Sequence, residues 1–222
     1  MDTVKIASNP VFFEKNRVFR VYSGGKLFSD FFGDNSEDGF YPEEWICSST
    51  KALNEGSTDE FEGLSTIKGT DIHFNELLHE QKELMLGNRN GLDVLVKALD
   101  SAIRLPVQAH PDKEFSRKNF NSEFGKAESW LVLGAREDAC IYFGFKDGVT
   151  EEDFRKAVDS SETDKAAMEK VVDILSYLPA NNLSEALMAE YVPANGTVGF
   201  EAFVDAGSFF ELYAENGASI KT

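Results

Sequence analysis

The chain is poor in cysteine, histidine and positive charge, and it has no long hydrophobic run. Its two cysteines, Cys47 and Cys140, stand far apart among 222 residues and outside any Cys-x-x-Cys spacing, so no disulfide framework is expected. Lys and Arg number 22 against 39 Asp and Glu, a formal charge of −17. A general nucleic-acid binder neutralises phosphates with clustered cations, and this balance excludes that class. It speaks equally against docking on an anionic membrane. No apolar run approaches the roughly 20 residues of a membrane span. The first six residues lack the apolar core of a signal peptide, and a cytoplasmic protein is the expectation. What is present is enough for a core: 42% of residues are hydrophobic and 12% aromatic, which argues against global disorder. An anionic small molecule would need a local basic pocket or a metal.

Short apolar segments separated by turn signals dominate the first 149 residues. Residues 11–13, 17–22 and 43–48 read as strands, the second alternating at period two before Gly24-Gly25. Phe74, Leu77 and Leu78 fall at helical spacing within 71–86. Residues 93–98 and 103–110 are apolar runs, and 112–120 reads as a charged helix. Residues 128–134 and 139–145 suggest a hairpin around Arg136. The period then changes. Thr150 and Asp153 form a capping-box pattern at the head of a helix, a second helix is expected over about 164–177, and a third over 183–191. Strand alternation returns over 197–204 and 208–214. The reading is mainly β, a barrel or sandwich over 1–149, a helical insert over 150–192 and terminal strands over 193–222. The 19 Phe, among them Phe12-Phe13, Phe31-Phe32 and Phe209-Phe210, are expected in the core.

Two segments carry chemistry: Leu105-Pro106-Val107-Gln108-Ala109-His110-Pro111-Asp112-Lys113 and Gly125-Lys126-Ala127-Glu128-Ser129-Trp130. On a strand, Gln108 and His110 share one face, as do Lys126, Glu128 and Trp130 on the next. Paired strands would then present an amide oxygen, an imidazole nitrogen and a carboxylate to one point. Such donors suit Zn²⁺, Mn²⁺ or Fe²⁺. A structural histidine and a surface Lys–Glu pair are the alternatives that spacing leaves open. His73 and His79 lie in a polar helical region and are expected to be exposed or capping.

These two segments resemble the signature of the class I phosphomannose isomerases, zinc-dependent cupin-fold enzymes. The resemblance continues in Gly24-Gly25-Lys26-Leu27, Glu43-Glu44-Trp45-Ile46, Leu84-Met85-Leu86-Gly87 and Leu95-Val96-Lys97-Ala98-Leu99-Asp100, and runs from about residue 10 to 178. It implies a cupin-type β-barrel (jelly-roll) carrying the helical insert, with one Zn²⁺ per chain. Gln108, His110 and Glu128 match three of the family's four metal ligands. Lys126 matches a lysine close to the substrate and is the implied catalytic residue. Lys113 is placed to reach the sugar phosphate. The implied reaction is aldose–ketose interconversion of mannose 6-phosphate and fructose 6-phosphate through an enediol.

The chain also departs from the pattern. No His follows His110, so the fourth ligand is absent, and Pro193-Ala194-Asn195-Gly196-Thr197 resembles the start of its segment without supplying it. Glu201, Asp205 or Glu211 are the acids that would replace it. Arg155 is the last Arg, which leaves the family's later active-site Arg without a counterpart. A shortened relative is expected, and a non-catalytic or impaired cupin that binds metal or sugar phosphate is the second reading.

Overall fold

The computed structural model describes residues 2–176, apart from 56, 109, 127, 128, 137, 138 and 165, together with 207–212. For 129–132, 141, 143, 174–176 and 207–212 the description is of the backbone. The chain divides into two units, 1–103 with 208–213 and 104–207 with 214–222. No helix among the described residues is long and apolar enough to cross a membrane.

The first unit is built on a small antiparallel sheet. Strand β1 (Arg17–Val18) pairs with β2 (Glu43–Ile46), which pairs with β3 (Val96–Ser101). A later strand over Gly207–Leu212 follows β3 in the sheet order. The strand expected over 17–22 stops at Val18, and residues 11–13 contribute a single bridge, Phe13 to Ile67. Three short helices accompany the sheet: α1 (Thr3–Ala7), α2 (Phe28–Phe32) and, within the helical stretch read at 71–86, α3 (Phe74–Glu80), followed at once by a one-turn helix over Lys82–Met85. The helical spacing of Phe74, Leu77 and Leu78 turns all three inward onto Ile67, and Phe13 meets Phe74 edge to face at 4.9 Å. Paired phenylalanines do not all go inside. Phe28 is fully buried, whereas Phe12 is 69% exposed and Phe31 and Phe32 stay at the surface.

Strand β2 is paired along both edges, and its two adjacent glutamates are buried. Glu44 accepts from the backbone N–H of Asn16 and pairs with Arg17, whose guanidinium lies 4.0 Å from the Phe28 ring centre. Glu43 is 3% exposed. Its carboxylate accepts from the Tyr22 hydroxyl (2.5 Å), the Trp45 indole N–H (2.7 Å) and Arg20 (2.9 Å), with the Lys97 ammonium at 3.7 Å. Burial alone would raise its pKa from the ordinary 4.5. Lys97, Arg20 and Tyr22 outweigh that and hold it at about 2.

The Gly24-Gly25 turn is seated on β3 in the same manner. Buried Asp100 accepts from the backbone N–H groups of Gly25 (3.0 Å) and Leu27 (2.8 Å). A Cβ on Gly24 would stand 1.8 Å from the Asp100 carbonyl oxygen, and Gly25 has φ +111°, so each glycine is required for its own reason.

In the second unit, α5 (Lys113–Phe120; the Lys82–Met85 turn counts as α4) and β4 (Ser129–Gly134) follow the two motif segments. Strand β5 (Cys140–Phe145) takes β6 (Val172–Ser176) as its partner in a two-stranded sheet, so the hairpin suggested by 128–145 does not form. Helix α6 (Glu151–Ser161) begins where the capping box places it: Thr150 Oγ1 accepts from the Asp153 N–H (3.2 Å), and the Asp153 carboxylate accepts from the Thr150 N–H (3.0 Å). The helix expected over 164–177 is corrected to one 3₁₀ turn, Met168–Lys170, leading into β6. The β-branched residues Val171, Val172 and Ile174 explain the change, since their side chains pack better on a pleated surface than against a helical turn. Ala157, Met168, Val171 and Val172 form a hydrophobic cluster in this unit. The helix read over 183–191 and the strand over 197–204 lie outside the described residues.

Candidate metal and sugar-phosphate site

The two motif segments meet in the second unit through a helical detour. Asp112 caps α5, its carboxylate accepting from the Phe115 N–H at 2.7 Å. At the other end Asn121 adopts the left-handed conformation, φ +51°, which its short polar side chain tolerates, and the chain reverses. Ser122 N–H bonds back to the Ser116 carbonyl (3.2 Å), and Arg117 pairs with Glu123 (2.8 Å) across the return. Residues 125–126 are thereby laid against 111–113. Lys126 N–H donates to the Pro111 carbonyl at 2.9 Å.

Gly125 permits that approach. A Cβ there would lie 2.8 Å from the Pro111 carbonyl oxygen and 3.1 Å from the Lys113 nitrogen, both rigid backbone. Gly125→Ala must therefore push the two segments apart. Overpacking of this kind typically costs about 1–3 kcal/mol. A lower melting temperature is expected. A wild-type value would show that the close approach is not needed.

With the backbones in register, Lys126 Nζ donates to Gln108 Oε1 at 3.2 Å. Two of the residues singled out in sequence are thus in direct contact. His110 is half-buried, and Lys113 is the exposed first residue of α5. Glu128 lies outside the described residues, as do Glu201 and Asp205 and the side chain of Glu211. Residues 105–108 and 110 form no ladder, which corrects the expected strand. Pro106 and Pro111 have no N–H to give, so the segment is interrupted from both ends, while buried Leu105 anchors it.

Sequence reading missed Gly125 and Asn121 as architectural residues. Their signal was the pair of turn formers bracketing the 121–125 return. His73 and His79 belong to the first unit. His73 is the N-cap of α3, as a capping role predicts, its N–H donating to Glu76 at 3.0 Å; its ring stacks on Phe61 at 4.5 Å between centres, with Nδ1 3.3 Å from the Thr66 hydroxyl. Among the described residues, no three His, Cys, Asp or Glu side chains converge.

The Gln108 amide oxygen and the His110 imidazole, two residues apart in sequence, are donor types that a borderline divalent cation takes. The chain is similar in sequence to mannose-6-phosphate isomerases over about 70% of its length and shares its fold with one of known structure. It is 29% identical over 157 residues to probable mannose-6-phosphate isomerase GmuF of Bacillus subtilis, covering 70% of this chain and 47% of that protein. Identity to the mannose-6-phosphate isomerase of Streptococcus mutans is 26% over 161 residues, covering 71% and 47%. The crystal structure of the mannose 6-phosphate isomerase from Bacillus subtilis shares the fold, with a TM-score of 0.58 at 20% identity over 92% of this chain and 55% of that one. No family model matches the chain. The chain spans about half the length of the curated relatives it matches.

Proposed function

We propose that this chain is a zinc-dependent aldose–ketose isomerase acting on mannose 6-phosphate and fructose 6-phosphate, on a cupin-type barrel. The observation that carries the reading is the side-by-side seating of the two motif segments, with Lys126 on Gln108. Names of the relatives and the shared fold support the substrate class.

In this reading Gln108, His110 and Glu128 hold the metal. When bound, the metal supplies Lewis acidity to the sugar's C1 and C2 oxygens, where charge develops in the enediolate. Lys126, whose backbone N–H is tethered to Pro111, would move or hold the proton passing between C1 and C2. General acid–base help of this kind typically contributes about 10²–10⁴-fold. Lys113 offers an exposed ammonium at the head of α5 for the phosphate. A net charge of −17 does not oppose this, because the site needs only local cations.

The sequence observation that no His follows His110 favours a second reading, a cupin that binds metal or sugar phosphate without turnover. Three protein ligands with an open position remain a sufficient catalytic zinc set. The test is metal content: after zinc loading and desalting, about one zinc per chain is expected by the one-site reading, removed by a chelator. A loaded chain that retains no zinc would refute it.

A further inference from the structure

The segment between α4 and β3 carries Asn90-Gly91, with Asn90 exposed and both residues outside every helix and strand. In an Asn-Gly pair the backbone nitrogen of the glycine can reach the side-chain carbon of the asparagine, because no Cβ stands in the way. Whether that chemistry is open depends on the N–H that follows the asparagine. After Asn75, Asn88 and Asn121 it is already donated: Glu76 to His73 (3.1 Å), Arg89 to Leu86 (3.1 Å) and Ser122 to Ser116 (3.2 Å). After Asn90, no acceptor among the described residues takes the Gly91 N–H. Space is open as well. Beyond its chain neighbours, a Cβ on Gly91 would meet only Asp93 Oδ1, at an ordinary 3.7 Å. Asn90 Oδ1 accepts from Lys82 Nζ at 3.3 Å, a surface contact that polarises the amide.

We infer that Asn90 is a site of spontaneous covalent modification, cyclising onto Gly91 and opening with water to aspartate and isoaspartate. The Gly91 nitrogen gives its proton to water and attacks Asn90 Cγ. The N–Cγ bond forms, the Cγ–Nδ2 bond breaks, and Nδ2 takes up a proton from water and leaves as ammonia. One water then opens the cyclic imide. Opening at the side-chain carbonyl restores an ordinary backbone with an aspartate at position 90. Opening at the backbone carbonyl gives the isomer, whose main chain is one carbon longer. Water is the co-reactant, and nothing is oxidised or reduced. Either product adds a negative charge. The isomer also lengthens the bridge between Leu86 and Leu92, both packed against the Ile67, Phe74, Leu77 and Leu78 cluster.

The test holds the full folded chain at one neutral pH and temperature for increasing times, then digests it and weighs the peptides. Cleavage after Arg89 and Lys97 separates residues 90–97 from Asn88, Asn121 and the second Asn-Gly pair, Asn195-Gly196, which lies outside the described residues. Asn90 is expected to exchange its amide for an acid at least about tenfold faster than Asn88 or Asn121, and to give two isomeric products. Gly91→Ala is expected to slow the exchange at least about tenfold, with an unchanged far-ultraviolet circular dichroism spectrum. Unfolding the wild-type chain in denaturant should quicken Asn90 by no more than about threefold, since the fold does not occupy the Gly91 nitrogen. Folded Asn90 reacting no faster than Asn88, or far more slowly than in the unfolded chain, would overturn the site; this comparison needs no variant. Aspartate as the single product would overturn the cyclisation.

Discussion

Replacing Glu43 with Ala should destabilise the first unit by about 3–5 kcal/mol, the usual consequence of removing one partner from a buried ion cluster. The carboxylate is 3% exposed and takes bonds from Tyr22, Trp45 and Arg20, with Lys97 nearby. Alanine removes the carboxylate that Arg20 and Lys97 share and the acceptor to which Tyr22 and Trp45 donate, and that loss is what the ~3–5 kcal/mol measures. The same group sets a pH response. Its pKa is lowered on folding from 4.5 to about 2, so the stabilisation is fully present above pH 4.5 and is lost as pH falls toward 2. Chemical denaturation of wild type and Glu43→Ala at several pH values checks both points. The difference between the two should shrink below pH 4.5. A variant as stable as wild type at neutral pH would show that the cluster contributes nothing.

His110→Ala should lower zinc affinity by more than about a hundredfold, since loss of even an outer-sphere partner often costs 10–100-fold. Competition against a chelating dye measures the affinity, and thermal melting checks folding. Folded His110→Ala that keeps wild-type affinity would remove His110 from the ligand set.

Much of the local structure was legible because single residues dictate it. The Thr150–Asp153 box starts α6, the Phe74-Leu77-Leu78 stripe faces the core, and Asp112 opens α5. Pairing was not legible. Residues 128–145 read as a hairpin by proximity, yet β5 chose β6, a partner distant in sequence that its alternation does not reveal. The 164–177 stretch failed for a related reason: its charged first half suggested a helix, and tertiary pairing of Val172–Ser176 overrode it. At the site, the choice of Gln108 and Lys126 followed from motif residues. The means of contact did not, because it depends on a missing side chain at Gly125 and a left-handed Asn121, both properties of three-dimensional approach.

The central claim is zinc-assisted isomerisation by this chain, and a coupled assay of mannose 6-phosphate turnover tests it most directly. Turnover to fructose 6-phosphate is expected with zinc, abolished by chelator and restored by added zinc. No turnover from a zinc-loaded, folded chain, or turnover untouched by the chelator, would contradict it.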